Sequence, residues 1–561
     1  MSWLVQGLQS LGLGVVSSPF EVGDEVPTRT LKSRGWWWTL HTGTRREGGG
    51  AVSVFRADCD ALGGRAALAR HAFAKTRTLR HPHILSMVDG QNKDGKALEI
   101  VTEAVTPLPD WIKSQEGRMD PDQLSAVLVW GLRCVLEALN FLHTQNLCHG
   151  MVCMESIFVT KAGDFKLWGL DIIANMDSPD RSHFQANEHL LSTLAGGAHF
   201  RAPERTEGDW EKISKHFAMS DVWGLGQMIP TIFDDAPSEL MKIQKKMVTA
   251  QPLARAKVSR ILAAEYFVQH PYVGSLLFIE EMSLKSHAEL VAFFRGLAAS
   301  LASMPTATRI YKVIPALKSG IERSIGPDRR PEDCREVVSA TLPVLSDIGS
   351  TMTGDEYVAH VLPAVLPLFG VKDRAVRMQL LERIDGLVMH MDYDTVNSTV
   401  FESLNAGFAD TAKVLRELTL KSMLSLAGKL NEKNLNDRLM RTLSKLQADP
   451  EPSIRTNTTI FYGKIAPKLQ AGVRVRIIVP AFLRAMKDPF PYARLAVCTT
   501  CFLFLSPSYI SLSPCCSQRT PHVLPPGNRV TGDAVHLRLQ SLLRTRINHR
   551  ENNARSVHPL A

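Results

Sequence analysis

The sequence of 561 residues predicts an α+β domain with two lobes, followed by an all-α array of helical repeats. Three observations lead to this division. Segments with the alternation and turns of β-strands, such as 36–55 and 98–104, lie near the start of the chain. Beyond residue 276, Gly becomes sparse and Leu, Ala and Val recur at helical spacing. In the same part of the chain, Arg and Asp recur with a period of 39 residues, which is typical of stacked helix pairs.

The segment Asn146–Val159 has the spacing of a protein kinase catalytic loop but lacks the residues that carry out the chemistry. In that loop an Asp accepts the proton of the substrate hydroxyl, and a later Asn binds magnesium. Here His149 occupies the His position, whereas Met151 and Ser156 occupy the Asp and Asn positions. A thioether cannot accept this proton, and a lone hydroxyl is a poor replacement for the amide ligand.

Other positions that bind ATP and magnesium in kinases are also replaced. Phe55 ends the strand on which the nucleotide-binding Lys is expected, Ala72 occupies the position of the Glu that pairs with this Lys, and Gly169 replaces the metal-binding Asp. The glycines at 43–50 indicate a phosphate loop only weakly, because a hairpin turn explains them equally well. Asp171 is a candidate for a displaced metal ligand, but it lies out of register and without a partner ligand. We therefore predict no catalytic residue, no cofactor and no metal site.

Residues that hold the kinase fold together are retained. Glu204 lies in a segment that resembles the Ala-Pro-Glu motif, and Asp221 begins the central helix of the C-lobe. Arg255 stands where kinases place the Arg that pairs with this Glu, so we predict a buried ion pair between Glu204 and Arg255. The resemblance to kinases also implies that Asp221 anchors the backbone around His149. The kinase-like domain is predicted to span residues 31–273.

The second half of the chain is predicted to form a solenoid of HEAT-like repeats over residues 276–498. Each unit contains a first helix, a turn that carries Asp, and a second helix with Arg near its start. The repeated residues are Arg377, Arg416, Arg455, Arg494, Asp410, Asp449 and Asp488. The Asp can cap the second helix, and the Arg can reach the Asp of the neighbouring unit. Such an array offers surfaces for binding partners rather than an active site.

The two ends of the chain fit neither region. Residues 1–30 lack the basic segment that begins a signal peptide, so we expect an N-terminal extension. Residues 499–561 are apolar, broken by Pro and out of phase with the repeats, so we expect a divergent and largely disordered tail. No run of residues approaches the roughly 18 apolar residues of a transmembrane helix, which predicts a soluble protein. The nine Cys are expected to be reduced thiols in the cytosol.

The net charge of +9 does not indicate a nucleic-acid interface. From residue 499 onward, seven Arg face one Asp and one Glu, which accounts for +5 of the total. The remaining +4 is spread over nearly 500 residues, without a basic stripe interleaved with aromatic residues. If the chain handles tRNA, bridging partners are expected.

A kinase frame without catalytic residues, joined to HEAT repeats, resembles the Scy-like pseudokinase family over residues 30–498. The segments that carry the resemblance are VTEAVTPL (101–108), KTRTLRHPHIL (75–85), KLNEKNLN (429–436) and IRTNTTIFYGKI (454–465). The resemblance implies a cytoplasmic scaffold, associated with the Golgi and the ER–Golgi intermediate compartment, that acts in COPI-mediated retrograde transport. It implies protein partners such as coatomer and small-GTPase trafficking machinery, with peripheral membrane association at most. Two alternatives remain open: an adaptor for nuclear export of tRNA, and a divergent active kinase that binds ATP.

Overall fold

The computed structural model describes residues 18–27, 36–177, 180–181, 188, 197–326 and 329–505. It contains two compact units, one formed by residues up to 285 together with 299–316, and the other by residues 286–298 and those from 317 onward. The first unit has the two lobes of a protein kinase, and the second is helical, so the predicted fold class is confirmed. Most of the predicted N-terminal extension and most of the predicted tail lie outside the described residues.

The N-lobe is built on a five-stranded antiparallel sheet with the strand order β1-β2-β3-β5-β4. The strands are β1 (Phe20–Glu25), β2 (Thr39–Arg45), β3 (Ala51–Asp58), β4 (Met87–Lys93) and β5 (Ala97–Glu103). Gly48 and Gly49 form the turn between β2 and β3 with φ of 80° and 64°, a conformation that side chains disfavour. The glycine cluster is therefore a hairpin turn, which is one of the two interpretations that the sequence allowed.

The C-lobe contains short strands and most of the helices of the first unit. The strands are β6 (Val105–Pro107), β7 (Leu147–Cys148), β8 (Ile157–Thr160), β9 (Phe165–Leu167) and β10 (Ala174–Asn175), arranged as β6-β8-β9 and β10-β7. The helices of both lobes, up to residue 280, are α1 (Cys59–Leu62), α2 (Ala66–Thr78), α3 (Leu108–Gln115), α4 (Pro121–Thr144), α5 (Pro203–Glu207), α6 (Trp210–Lys215), α7 (Ala218–Ile232), α8 (Ser238–Met247), α9 (Val258–Leu262), α10 (Glu265–Gln269) and α11 (Pro271–Glu280). Helices α1 and α2 belong to the N-lobe, because they lie between its strands β3 and β4.

Helix α4 corrects the expectation that no segment has the length and composition of a membrane span. Within the part of the chain that the structure describes, α4 alone is long and apolar enough for that role. Its apolar residues are largely buried in the C-lobe, including Trp130, Leu132 and Leu139. A buried core helix meets the same criteria of length and hydropathy, and the burial of these residues identifies α4 as one.

The first unit extends beyond the boundary predicted near residue 273. Helix α11 crosses that boundary and buries Tyr272, Val273 and Leu276 on one face. The segment 299–316 also belongs to this unit, because the Tyr272 and Thr308 hydroxyls lie 2.7 Å apart and Lys312 Nζ lies 2.8 Å from the Asp164 carboxylate. The sequence-based assignment of 299–316 to the repeat array was therefore wrong, because helical spacing does not show which unit a helix packs against.

Paired helices continue from α12 onward. Their bounds are α12 (His287–Ser300), α13 (Ile314–Ser324), α14 (Pro331–Gly349), α15 (Leu362–Val365), α16 (Arg374–His390), α17 (Phe401–Gly407), α18 (Lys413–Leu426), α19 (Leu439–Leu446), α20 (Pro452–Ile465), α21 (Val479–Ala485) and α22 (Pro491–Leu505). Helix α22 ends at Leu505 rather than at residue 498, so the first residues of the predicted disordered tail are helical. The apolar residues after Cys498 continue the helix, although they leave the phase of the repeats.

Short π-helical segments, which were not predicted from the sequence, precede α13, α15, α17, α19 and α21. They are Arg309–Val313, Tyr357–Val361, Val396–Val400, Asn434–Arg438 and Arg474–Ile478. In three of these helices a Pro follows the π-helical segment, at Pro315, Pro363 and Pro480. Because Pro has no backbone N–H, it cannot continue the regular hydrogen-bond ladder, and a local change of helical pitch accommodates it.

Candidate functional site

The candidate site is the cleft between the two lobes of the first unit, where a kinase binds ATP. Phe55 on β3 occupies the position of the nucleotide-binding Lys, and its side chain is fully buried. The centroid of its ring lies 4.2 Å from that of Trp168 and 5.3 Å from that of Phe158. An aromatic contact therefore replaces the cation that would pair with phosphates.

Trp36, Trp37 and Trp38, which precede β2, add three more buried rings to this cluster. The Trp36 ring stacks on Trp168 with centroids 6.0 Å apart and planes 15° apart, and Trp38 contacts Trp168 edge-on at 5.5 Å. We call these five side chains, Trp36, Trp37, Trp38, Phe55 and Trp168, the aromatic plug. These three consecutive Trp were not predicted to belong to the site, although a run of such residues before a strand was the available signal.

The position of the metal-binding Asp has no room for a side chain. Gly169 has a φ of 86°, and a Cβ atom built there would lie 2.9 Å from Met151 Cε and 3.1 Å from the Trp36 ring. Met151, at the position of the catalytic Asp, is buried with the plug. The structure thus brings two of the replaced positions into direct contact with the aromatic residues, and neither position carries a group that could bind magnesium.

The other two replaced positions are also buried within the protein. Ser156 Oγ donates to the Cys153 carbonyl at 2.9 Å and accepts from the Cys153 N–H at 3.1 Å. Both hydrogen bonds of the hydroxyl therefore lie within the turn 153–156. Ala72 lies on the buried face of α2, and its carbonyl accepts a hydrogen bond from Thr76. Neither residue presents a metal ligand or a carboxylate to the cleft.

Asp171 holds the plug from the C-lobe side. Its Oδ1 accepts hydrogen bonds from Trp37 Nε1 at 3.0 Å and from Trp38 Nε1 at 2.9 Å. Its Oδ2 has no hydrogen-bond partner within the part of the chain that the structure describes. Two indole N–H donors would repel a cation at Oδ1, so the carboxylate acts as an acceptor for tryptophans rather than as a displaced metal ligand.

Burial raises the pKa of the Asp171 carboxyl from 3.8 to about 7, although the two indole N–H groups oppose the rise. Because the folded-state pKa lies above that of the unfolded chain, the folded protein binds more protons between about pH 4 and pH 7. The stability that this proton contributes is fully present below pH 4 and is lost as the pH rises through about 7. We expect the free energy of unfolding to lose on the order of 4 kcal/mol from this group across that window.

Replacing Asp171 with Asn should remove this loss, because the amide oxygen still accepts from the indoles but does not titrate. The measurement is urea unfolding followed by indole fluorescence between about pH 4 and pH 8. All nine Trp lie at or before residue 223, so the signal reports on the first unit alone. Burial lowers the pKa of His81 to about 4, which acts with the opposite sign, so the difference between wild type and Asp171→Asn isolates the carboxyl. Parallel pH profiles for the two proteins would contradict the assignment.

Asp221 anchors the former catalytic loop. Its Oδ2 and Oδ1 accept the backbone N–H groups of His149 and Gly150, both at 2.8 Å, and Oδ2 lies 3.0 Å from His143 Nε2. Burial opposes ionisation of this carboxyl, but the hydrogen bonds from His143 and the backbone outweigh it and hold its pKa below the ordinary value. His149 Nε2 in turn lies 3.0 Å from the Trp168 carbonyl, so the loop is fixed against the plug.

The predicted pair between Glu204 and Arg255 is present and buried. Arg255 Nη1 and Nη2 each lie 2.7 Å from one oxygen of the Glu204 carboxylate, which is a bidentate arrangement. Arg255 also donates to the Met219 and Thr249 carbonyls, and its guanidinium lies 4.9 Å from the centroid of the Trp223 ring. These contacts join α5 to α7 and to the segment after α8, which fixes the C-lobe below the cleft.

A second cluster of ionisable residues lies away from the cleft and was not predicted. His83 Nε2 lies 3.1 Å from Glu137 Oε2 and 3.9 Å from Glu280 Oε2, a grouping that has the spacing of metal ligands. The other oxygen of each Glu faces a cation, since Arg133 Nε lies 3.0 Å from Glu137 Oε1 and Lys312 Nζ lies 3.5 Å from Glu280 Oε1. These two cations would repel a divalent metal ion at the same carboxylates. The cluster of His83, Glu137 and Glu280 therefore fits a network of ion pairs that stabilises the fold.

The repeated Arg and Asp residues form a ladder in the second unit, but its members are not equivalent. Arg416 Nε and Nη2 lie 2.9 and 3.0 Å from the Asp449 carboxylate, and Arg455 approaches Asp488 at 2.8 and 3.0 Å. Each Asp also accepts the backbone N–H two residues later, as in the 2.9 Å bond from Glu451 to Asp449. The sequence-predicted contact between neighbouring units is therefore present at two successive steps.

The two ends of the ladder differ from the predicted pattern. Arg377 Nη1 lies 3.9 Å from Asp410, while Arg374 Nε lies closer to the same carboxylate at 3.2 Å. Arg494 donates to the Asp488 carbonyl at 2.8 Å and has no carboxylate partner within the described residues. A sequence period predicts where along a helix each Arg lies, but not the direction in which its side chain points. The contacts of Arg377 and Arg494 can therefore differ from those of Arg416 and Arg455.

Replacing Asp449 with Asn should lower the free energy for opening of α18 and α20 by about 1.5–3 kcal/mol, because the backbone bond to Glu451 is kept while the charge facing buried Arg416 is lost. Amide hydrogen exchange measured by mass spectrometry can follow both helices. Asp410→Asn is the matched control, with a smaller expected effect because its Arg partners are farther away and more exposed. Equal effects at the two positions would contradict this ranking.

Comparisons with known proteins agree with this architecture. The family described as "Protein kinase domain" matches residues 69–266. The chain is 30% identical over 522 residues to "Probable inactive serine/threonine-protein kinase scy1" of Dictyostelium discoideum, covering 90% of this chain and 60% of that protein. It is 24% identical over 503 residues to "Cytoplasmic export protein 1" of Saccharomyces cerevisiae, covering 85% of this chain and 62% of that protein. The chain therefore spans less than two thirds of the length of either relative.

A solved structure has the same fold. It is described as "Crystal structure of Cex1p", and it matches with a TM-score of 0.60 and 21% sequence identity over 87% of this chain and 89% of that chain. At this level of identity the likeness establishes the fold alone. Because the match covers 87% of this chain, it includes residues of both units.

Proposed function

The chain belongs to the Scy1-like family of kinase-like proteins, and from this membership we propose that it is a catalytically inactive scaffold in intracellular vesicle trafficking. The observation that carries the proposal is the aromatic plug, in which a buried ring replaces the nucleotide-binding Lys and another lies against the position of the metal-binding Asp. The second unit is a further argument for a scaffold, because stacked helix pairs offer extended surfaces for protein partners.

Absence of phosphotransfer follows from several replacements that reinforce one another. Phe55 cannot pair with phosphates, Met151 cannot act as a base, and Gly169 lies against Met151 and Trp36. A single substitution of this kind would leave partial function in a kinase, but here the binding and chemical groups are replaced together. The first unit then serves as a rigid protein-binding domain.

Titration with ATP, with and without magnesium, tests this part of the proposal. A ligand present at about 100 times its dissociation constant stabilises a protein by about 2.7 kcal/mol, which shifts the midpoint of thermal unfolding measurably. We expect no shift in indole fluorescence melting with either nucleotide preparation. A magnesium-dependent shift, together with phosphotransfer, would support the divergent kinase instead.

The more specific part of the proposal is a role in COPI-mediated transport from the Golgi to the endoplasmic reticulum and in Golgi organisation. It rests on family membership and on the segments 75–85, 101–108, 429–436 and 454–465, which are similar to Scy-like proteins. The partners would be coatomer and the small-GTPase machinery of the Golgi and the ER–Golgi intermediate compartment. Membrane association would be peripheral and indirect, through these proteins.

Binding of purified coatomer to the immobilised full chain tests this role. We expect saturable binding that survives addition of ATP and that is reproduced by colocalisation with coatomer at the Golgi in cells. A matched control is the full chain with Asp171→Asn, which alters the plug but no exposed surface. Absence of coatomer binding by both proteins would contradict the trafficking role while leaving the inactive kinase frame unaffected.

An adaptor for nuclear export of tRNA is the second candidate. The relative named "Cytoplasmic export protein 1" favours a role in export. The distribution of charge gives it no direct support, so binding to tRNA would require partner proteins. Filter binding of labelled tRNA to the purified chain, with and without a cell extract, separates this candidate from the trafficking scaffold.

A further inference from the structure

A groove of about 420 Å³ lies between the second helices of two successive repeats, α18 and α20. Its floor is apolar and includes Leu418, Leu424 and Ile460, which are half-buried, while Val414 at one end is 56% exposed. An apolar surface of this kind inside a groove costs free energy when it remains in water, so it favours a partner that covers it.

The charges along the groove are unbalanced. Glu417 is the carboxylate that lines it, and this group accepts a hydrogen bond of 2.5 Å from Ser453 Oγ. Lys421 on α18 and Lys464 on α20 line the two sides, and neither has an ion pair or a side-chain hydrogen bond among the described residues. Lys413, also on α18, differs because its Nζ lies 3.2 Å from the carboxylate of Glu451, which immediately precedes α20. The groove thus carries two uncompensated cations on its opposite sides.

We propose that this groove binds an acidic amphipathic segment of a partner protein. Apolar side chains of the segment cover Leu418 and Ile460, and its carboxylates pair with Lys421 and Lys464. From 414 to 424 the groove follows α18 for about 15 Å, which accommodates roughly ten residues of a helix laid alongside it. The inference rests on the proposed scaffold function and specifies the chemistry of one partner.

Fluorescence anisotropy with two synthetic peptides tests the proposal on the full chain. The first peptide is an amphipathic helix of about 14 residues with Leu at every third or fourth position and Glu at the flanking positions. The second has Lys in place of each Glu. We expect the acidic peptide to bind more tightly, with an affinity that falls as salt is added.

The double variant Lys421→Glu/Lys464→Glu should weaken binding of the acidic peptide by about tenfold or more. Lys433→Glu/Lys445→Glu is the matched control, since it makes the same change in net charge at exposed positions outside the groove. Val414→Asp should weaken binding by introducing a charge at the apolar end of the groove. Unchanged circular dichroism and hydrogen exchange would show that each variant is folded.

Three outcomes would overturn the inference. One is no binding of the acidic peptide at millimolar concentration, and another is equal binding by the groove variant and the control variant. The third is loss of single-stranded RNA binding, but not of peptide binding, in the groove variant, which would assign the two lysines to phosphate. Any of these outcomes would count against this groove alone, because binding of coatomer to the full chain tests the scaffold function separately.

Discussion

Replacing Arg255 with Met should lower the free energy of unfolding of the first unit by about 3–5 kcal/mol. The substitution leaves the Glu204 carboxylate buried without its cation and removes donors from the Met219 and Thr249 carbonyls. A loss of this size is a large fraction of the stability of an ordinary domain. Urea unfolding followed by indole fluorescence measures it in the full chain, because every Trp lies in the first unit.

Two controls separate the buried pair from general effects of charge. Lys212→Met removes the partner of Asp209 at an exposed site, where solvent and salt screen the pair, so we expect the urea midpoint to stay nearly unchanged. The double variant Glu204→Leu/Arg255→Met removes both charges and should recover part of the stability lost by Arg255→Met. If Arg255→Met costs no more than Lys212→Met, the pair does not hold the C-lobe together.

The frame of the first unit was predictable because each structural residue has a fixed place in a known pattern. Glu204, Asp221 and Arg255 occupy such places, and each makes the contact that the pattern implies. The replaced positions were equally visible, because a missing Lys or Asp is read directly from the sequence. The aromatic plug could not be predicted from the sequence, because it depends on contacts between rings that lie far apart along the chain.

The aromatic plug illustrates this limit. Trp37 and Asp171 are 134 residues apart, yet the indole N–H donates to the carboxylate at 3.0 Å. Sequence spacing placed Asp171 near a metal-ligand position, and only the fold shows that tryptophans are its partners. In the second unit the period fixed the order of the helices, whereas the contacts of Arg377 and Arg494 depend on local helix ends that a period does not encode.

The segment 299–316 shows a second kind of limit. The motifs of the kinase frame end near residue 273, and the helical spacing beyond residue 276 assigned the following residues to the repeat array, whereas the structure places 299–316 in the first unit. Lys312 joins the first unit through Asp164 and Glu280, with the Asp164 and Glu280 carboxylates raising its pKa against the effect of burial. Such a contact couples residues far apart in sequence, so only tertiary structure places the boundary.

Restoring the nucleotide-binding Lys by Phe55→Lys should destabilise the first unit by about 4 kcal/mol or more instead of creating an ATP site. The substitution removes a ring that contacts Phe158 and Trp168 and places an ammonium group among buried tryptophans. The Glu that would pair with this Lys in a kinase is Ala72 here, so the cation gains no partner. Indole fluorescence should report both the lower urea midpoint and the change around Trp168.

Phe55→Leu is the matched control because it removes part of the same ring contacts without adding a charge. We expect it to retain more of the stability than Phe55→Lys, and the difference between the two measures the cost of burying the cation. Melting of both variants with ATP and magnesium then tests the function of the cleft. A stable Phe55→Lys protein with a magnesium-dependent shift would show that the plug only blocks an otherwise competent site. An unstable protein without a shift would mean that the aromatic contacts have become the structural core between the lobes, so that inactivity is built into the stability of the fold.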